Sequence, residues 1–348
     1  MSSGTVRIGI IGAGANCRIR HVPGFRAIEG VELVSVCNST RESSERAAKE
    51  FNIPNVYDNW LDLIQSDDTD AICIGTWPNL HAPITISALQ YDKHVLTEAR
   101  MSMNSSEARA MLQASQEAPH LIAQVVPAPM TLPVDQTIID IISKGDLGDV
   151  LSVDLKVNSK NFIDTDSPLH WRQNKDLSGF NILMMGIWYE ILMRWIGSAR
   201  KVSAMTSTFV KKRQDYTGKI RTIEIPDHVD VICEMNCGAQ ANLRFSAITG
   251  LAPTNEAWIF GTDGTLKVDL EKNHLFFGSR NDKELSGVKI DPLKQSDWRV
   301  EEEFVNAIRG LEKVKLSTFE DGVKYMEFTD AVTISAQSGQ AISLPFTR

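Results

Sequence analysis

The first apolar run of the chain, Val6-Arg7-Ile8-Gly9-Ile10-Ile11, ends in Gly12-Ala13-Gly14-Ala15-Asn16-Cys17. A buried strand that stops on G-x-G and opens a helix leaves few folds available. The first glycine permits a tight turn. The second lets the backbone approach a pyrophosphate, which then rests on the helix N-terminus. Cys17 stands where a third glycine is usual and is small enough for close helix–strand packing. A lone glycine turn is weak evidence, but one that follows a strand and opens a strand–helix–strand unit is a dinucleotide-binding fingerprint. Gly12, Gly14, Ala15 and Asn16 are the expected contacts.

The next runs keep the pattern. Val31–Cys37, Ala71–Ile74, His94–Thr97 and Leu121–Val126 read as strands, with helical stretches such as Arg41–Phe51 and Pro83–Gln90 between them. Continuous apolar strands alternating with helices predict a parallel, doubly wound sheet. The pattern changes after Pro127-Ala128-Pro129. A helix over Val134–Ser143 leads to Val150–Val157, which alternates with period two. Val229–Met235, Gln240–Ala247, Glu256–Phe260 and Thr265–Asp269 are also strand-like, and one long helix spans about Asn181–Ile196. These features predict a mostly antiparallel sheet. A single core stops growing at roughly 250–300 residues, so 348 residues favour two domains. The expected class is α/β, with an N-terminal Rossmann dinucleotide-binding domain over residues 1–128. A C-terminal α+β domain for substrate binding and oligomerisation follows over 129–348. Helices around Glu301–Arg309 and Phe319–Ser335 are expected to pack back on one of the two.

Charge and cysteine usage exclude several classes of partner. The net charge is −8 and the densest basic cluster is only Lys211-Lys212-Arg213, which favours neither nucleic acid nor an anionic membrane. No apolar run approaches the length of a membrane span. The cysteines number five, an odd count. Most lie in apolar, strand-like runs, as reduced thiols do in a cytosolic protein. Cys233 and Cys237 lack a second ligand pair, so no metal site is expected. The N-terminal segment has no basic region or cleavage site, so the expected location is cytoplasmic, without a secretory leader.

The end of the second strand bears on the choice of cofactor. An NAD-specific site usually has Asp or Glu there to hold the ribose 2′-hydroxyl. This chain has Asn38, followed by Ser39, Thr40 and Arg41. Asn38 removes the charge that would repel a 2′-phosphate, and the next three residues can donate to one. NADP is the expected cofactor and NAD the alternative. Ser39–Arg41 also read as the cap of the following helix.

Further motifs run through nearly the whole chain. They are Thr76-Trp77-Pro78-Asn79-Leu80-His81, Lys93-His94-Val95-Leu96-Thr97-Glu98, Leu147-Gly148-Asp149-Val150, Trp171-Arg172 before Ser178-Gly179, and Gly261-Thr262-Asp263-Gly264-Thr265. In this the chain resembles the Gfo/Idh/MocA oxidoreductases. The resemblance implies that Thr76, Trp77, Asn79 and His81 lie beside the cofactor. It also implies that Glu98 and Ala99 lie near the nicotinamide ribose, and Trp171 and Arg172 near the nicotinamide end. It implies a homodimer or homotetramer built through the second sheet, and a sugar, polyol or related hydroxylated or keto compound as substrate.

The chain departs from that family at its catalytic positions. Glu98-Ala99-Arg100 stands where the family has Glu-Lys-Pro, so the lysine that steadies the substrate oxygen is absent. On the helix fixed by Gly186 and Trp195, the family's Asp and His positions hold Met184 and Trp188. Residues four apart share a helix face, so a thioether and an indole replace the usual acid–base pair. Tyr189 and His170 are the candidate catalytic groups. Arg100, Asn181, Trp188 and Glu190 are candidate substrate contacts. The function read from these residues is an NAD(P)-dependent oxidoreductase with a non-standard acid–base set. One alternative is a cofactor-retaining lyase, epimerase or hydrolase that works by transient oxidation. Another is a non-catalytic ligand-binding protein.

Overall fold

In the computed structural model, which describes residues 4–346, the first strand β1 (Val6–Ile11) lies inside a six-stranded sheet. A helical run from 15 to 26 follows it and ends in α1 (Val22–Arg26). Next come β2 (Val31–Cys37), α2 (Arg41–Glu50), β3 (Asn55–Val56), α3 (Trp60–Gln65) and β4 (Ala71–Ile74). They are followed by α4 (Pro78–Gln90), β5 (His94–Thr97), α5 (Ser105–Glu117) and β6 (Ala123–Val125). The strand order is β3-β2-β1-β4-β5-β6 and every pairing is parallel. The order reverses between β1 and β4, and ligands bind outside the carboxyl ends of strands at such a switch point. β4 is buried throughout, as the continuous apolar run predicts for a sheet covered on both faces. Ile11, Ile72, Ile74, Leu63, Ile84 and Val95 meet in one core cluster. Helix α4 begins at Pro78, five residues before the expected start. Proline is tolerated at the first helical position because the N–H it lacks has no intrahelical partner there.

The second unit is built on α6 (Leu132–Ser143), β7 (Val150–Asn158), α7 (Lys175–Ser178), α8 (Met185–Ile196), β8 (Ala199–Ser207) and the small hairpin β9 (Lys212–Gln214) and β10 (Ile220–Thr222). The strands β11 (His228–Met235), β12 (Gln240–Ser246), β13 (Glu256–Gly261), β14 (Gly264–Asp269), β15 (His274–Ser279) and β16 (Ser286–Gly287) continue it. The chain then forms α9 (Val300–Ile308), α10 (Phe319–Ser338) and β17 (Ile342–Ser343). The nine-stranded order is β16-β15-β14-β13-β7-β12-β11-β8-β17. It is antiparallel except for β7 beside β12. Val229, Val231, Cys233 and Met235 point inward, and Asp230, Ile232 and Glu234 alternate with them. The outward face is mainly polar. Arg244 donates to Asp230 at 2.7 Å and Asn242 to Asp154 at 3.0 Å, with Ile232 and Met205 as exposed apolar residues.

Two expectations need correction. The long helix does not begin at Asn181. Leu183 has φ of +49° and interrupts the run, so α8 starts at Met185 with Met184 as its N-cap residue. The second domain is also not one continuous stretch from 129 to 348. Among the described residues, the first compact unit takes 4–127, 177–179 and 299–326, and the second takes the rest. The cause lies at β6. Val125 and Ser317 exchange backbone hydrogen bonds at 3.2 and 3.1 Å, and Gln124 donates to the Leu316 carbonyl at 2.8 Å. Residues near the end of the chain thus pair with the edge of the first sheet.

Tight packing around β1 yields a prediction. A Cβ on Gly9 would come within 2.7 Å of Leu63 and 2.9 Å of both Ser35 and Thr69. Overpacking of this kind costs about 1–3 kcal/mol. Gly9→Ala is expected to lower the denaturant midpoint accordingly, and an unchanged midpoint would show that the neighbours give way freely.

Candidate functional site

The turns after β1 and β4 touch through bare backbone. Gly12 has φ of +85°, and a Cβ there would lie 2.6 Å from the Thr76 nitrogen and 2.7 Å from the Gly75 carbonyl carbon. A Cβ on Gly75 would lie 2.5 Å from the Gly12 oxygen and 2.6 Å from Cys17 Sγ. Cys17 therefore fills the place of the third glycine and fits because Gly75 faces it. Gly14 differs, since its Cβ would meet nothing closer than the Gly75 oxygen at 3.8 Å. The protein's own atoms do not demand glycine at 14, but a ligand laid across the loop would. A cavity of ≈ 330 Å³ opens there, bounded by Gly12–Gly14, Asn38, Ser39, Trp60, Thr76, Trp77 and Leu80. It lies within the usual size of ligand sites. Its apolar wall of two indoles and Leu80 suits a flat base, and the glycine loop with the helical run behind it suits phosphates. The residues present fit a dinucleotide. Trp60 and Leu80 were not among the expected contacts: Trp60 lies in no motif, and Leu80, though inside Thr76–His81, is an apolar side chain with no signal of its own.

Asn38 joins the loop to the second strand. Its Oδ1 accepts from the Ala13 N–H at 2.7 Å, and its Nδ2 donates to the Ser43 carbonyl at 3.0 Å. Thr40 caps α2, with reciprocal bonds between Thr40 and Ser43. Ser39 is exposed at the cavity. Arg41 holds Glu45 at 2.7 Å and Asp58 at 3.2 Å, and all three side chains are about half exposed or more. The segment caps the helix, and its first helical residue, Arg41, carries an exposed guanidinium two residues after Ser39 of the cavity wall. Exposed ion pairs of this type are worth about 0–1 kcal/mol, so a phosphate can compete for Arg41.

Glu98 follows β5. Its Oε1 accepts from His21 Nε2 at 2.8 Å and also from the Asn16 amide. His21 is fully buried, and its Nδ1 meets Glu301 Oε1 at 2.5 Å. Burial alone would lower the His21 pKa, but the hydrogen bonds to Glu301 and Glu98 outweigh it and carry the pKa up to about 10. For Glu98, burial pushes upward, yet the bond and charge of His21, with Asn16, bring the carboxyl below its ordinary range. His21 was not singled out from sequence. Its one local signal is its place four residues after Cys17 on the same helical face. Asn16, expected at the pyrophosphate, spends its side chain on Glu98. His81 sits between the carbonyls of Arg100 at 2.9 Å and Thr76 at 3.0 Å, and burial lowers its pKa. It braces the loops after β4 and β5 and is 1% exposed. Trp77 is about half exposed at the head of α4 and Ala99 is partly exposed. Asn79 Oδ1 is buried with no hydrogen-bond partner among the described residues. Arg100 is buried.

In the second unit the catalytic candidates separate. Tyr189 is 1% exposed, stacks on Phe328 with centroids 3.7 Å apart, and accepts the Ala199 N–H at 2.8 Å. Burial raises its pKa further. These are the contacts of a packed core residue, contrary to the expected proton exchange. Glu190 is likewise engaged in the fold, accepting from the Ala128 N–H at 3.1 Å and from Arg194 at 3.0 Å. Arg194 also meets Asp135 at 2.9 Å. Asn181 is buried before α8. Trp188 is 7% exposed, and its indole N–H has no hydrogen-bond partner among the described residues. His170 is exposed and caps the turn Trp171–Gln173, its Nδ1 accepting from the Arg172 N–H at 3.2 Å. Burial and the Arg172 charge lower its pKa. The Arg172 guanidinium stacks on Trp171, 4.2 Å from the ring centre. Among the described residues, no group of three His, Cys, Asp or Glu could hold a metal, and no helix is long and apolar enough to cross a membrane.

Comparison with known proteins agrees with this geometry. The model of the oxidoreductase family with an NAD-binding Rossmann fold matches residues 6–125, and the GFO/IDH/MocA C-terminal domain matches 136–267. Glucose-fructose oxidoreductase domain-containing protein 2 of Homo sapiens is 26% identical over 262 residues. The match spans 74% of this chain and 66% of that protein, just under two thirds of its length. Levoglucosan dehydrogenase of Pseudarthrobacter phenanthrenivorans is 26% identical over 257 residues, spanning 68% of this chain and 65% of the relative. A solved structure of levoglucosan dehydrogenase with NADH and L-sorbose matches with a TM-score of 0.86 at 20% identity, covering 98% of this chain and 99% of that one.

The buried histidine sets a pH dependence of stability. Its pKa rises on folding from 6.5 to about 10, so the folded chain holds the proton more tightly. That stabilisation is whole below pH 6.5 and is lost as the pH rises through about 10. The unfolding midpoint of the wild type is expected to fall more steeply over this window than that of His21→Gln. Parallel curves would rule the linkage out.

Proposed function

Because the chain belongs to the Gfo/Idh/MocA oxidoreductase family, we propose that it moves a hydride between NADP(H) and a sugar, polyol or related hydroxylated or keto compound. The observation that carries this reading is the cavity at the β1–β4 switch point, with Gly14 open to it and Asn38 and Ser39 among its lining residues. The bound dinucleotide supplies the hydride acceptor or donor. Gly12 and Gly14 admit the pyrophosphate, and Trp60, Trp77 and Leu80 border the base. Asn38 carries no charge against a 2′-phosphate, and Arg41 leaves its weak surface pairs to bind one. The relative solved with NADH and L-sorbose supports a ligand of sugar size.

The acid–base work falls to groups other than the family's Lys, Asp and His. His170 is the exposed titratable candidate. With Nδ1 accepting a backbone N–H, the neutral ring carries its proton on Nε2 and offers it to a substrate oxygen. In the reducing direction the carbonyl carbon takes the hydride and its oxygen takes the Nε2 proton of His170, after Nδ1 has let go of the Arg172 N–H and taken up a proton from solvent, so that a neutral imidazole is left. Trp188 offers its unpaired indole N–H to a second substrate oxygen. Assembly as a homodimer or homotetramer belongs to the same reading, with Ile232 and Met205 on the joining face.

Titration of the purified protein with NADPH and NADH, followed by fluorescence, tests the cofactor assignment. NADPH is expected to bind at least about tenfold more tightly. Arg41→Ala should shrink that ratio without lowering thermal stability. Equal or tighter NADH binding would overturn the NADP assignment. Gly14→Val should abolish binding of both while the protein stays folded, since a larger side chain there meets only the ligand space. His170→Ala is expected to lower kcat/KM by about a hundredfold or more at unchanged cofactor affinity. Turnover with no net change in cofactor absorbance would favour transient oxidation, and binding of neither dinucleotide would leave a non-catalytic protein.

A further inference from the structure

The hydrogen bonds of Glu98 are one-sided. Both of its protein donors, His21 Nε2 at 2.8 Å and the Asn16 amide, go to Oε1. Among the described residues nothing donates to Oε2, and the side chain is 15% exposed. Glu98 stands just past the carboxyl end of β5, beside the strand whose turn contacts Gly12. Behind it, His21 is fully enclosed and reaches Glu301 of α9 with its other nitrogen. A ring with a carboxylate oxygen at each nitrogen donates from both, and only the charged form can do so. A charge-assisted bond is shorter and stronger than a neutral one and fixes the acceptor's orientation.

We infer that His21, backed by Glu301, is a positioning residue that turns the Glu98 carboxylate so that Oε2 accepts a hydrogen bond from a ribose hydroxyl of the bound dinucleotide. The inference rests on the proposed dinucleotide site and adds to it a residue 280 positions away in sequence, Glu301. His21 touches no part of the ligand and acts through Glu98. Asn16 on the same helical run holds the second approach to Oε1. The other titratable groups around the array are the buried thiols of Cys17 and Cys73 and the imidazole of His81, whose pKa burial lowers. With one imidazolium among them, the carboxylate keeps its charge while shielded from water.

A double-mutant cycle read by NADPH and NADH fluorescence titration tests this. His21→Gln and Glu98→Gln should each weaken binding by about tenfold. The double variant should bind no more weakly than Glu98→Gln alone, because the histidine acts only through the carboxylate. A pH series gives a second readout. Wild-type affinity should be flat from about pH 7 to about pH 5, while in His21→Gln it should fall as Glu98, now without a cation, takes up a proton. His21→Gln binding like the wild type, or effects that multiply in the double variant, would overturn the inference. Should His21→Gln not fold, Glu301→Gln replaces it. Severalfold weaker binding is then expected, and wild-type affinity would refute the assignment. A wild type that binds neither dinucleotide would defeat the proposed site itself, an outcome separate from an additive cycle on a protein that binds.

Discussion

The contact between Gly12 and Gly75 underlies the rest of the site. Two central strands end side by side, and their turns approach until no Cβ fits at either glycine. Side chains there would push β1 and β4 apart and close the space above the sheet. With the backbones touching, the helical run from residue 15 begins beside the sheet edge, and Cys17 drops into the remaining gap. The cavity is the space left by this close approach, and Asn38 secures it by tying Ala13 to the start of α2.

Each unit also buries charge, and each does so by giving every charge a partner. In the first, a histidine lies between two carboxylates. In the second, Arg194 is shared by Asp135 and Glu190, while Trp195 donates to the other Asp135 oxygen at 2.7 Å. A buried ion cluster adds little net stability, but removing one member leaves a charge stranded. Such clusters therefore fix geometry more than they add energy. The Arg194 cluster fixes α8 against α6, and with it the turn on which Trp188 sits.

Much of this was legible in the sequence, and the limits are physical. The parallel sheet, the glycine loop and the change to an antiparallel sheet all rest on local periodicity, which a linear reading captures. Asn38 could be placed because a strand end lies at a fixed distance from the glycine motif. Tyr189 and Glu190 could not be judged, because their roles depend on Phe328, Ala199, Ala128 and Arg194, and helix periodicity alone does not say which face meets them. The start of α8 was misplaced by a single left-handed residue, Leu183, whose type gives no warning of a positive φ. His21 has only its spacing from Cys17 as a local signal, and nothing local pairs it with Glu301, 280 residues away. The change of pattern after Pro127-Ala128-Pro129 was readable, and the C-terminal helices were expected to pack back on one of the two domains, but which residues would pair with β6 was not legible.

That return bears on how the protein is made. The first unit is begun by the first strand and completed only by Glu301, Ser317 and Tyr325, whose hydroxyl accepts the Met101 N–H at 2.7 Å. Chains emerge at about 5–20 residues per second, so the opening sheet waits on the order of ten to forty seconds for its last pieces. During that interval β6 has a bare edge and His21 lacks one of its two carboxylates. A newly made N-terminal half is therefore a partner-seeking intermediate, and the second unit, which takes Phe328 and β17 from the last stretch of chain, is completed later still.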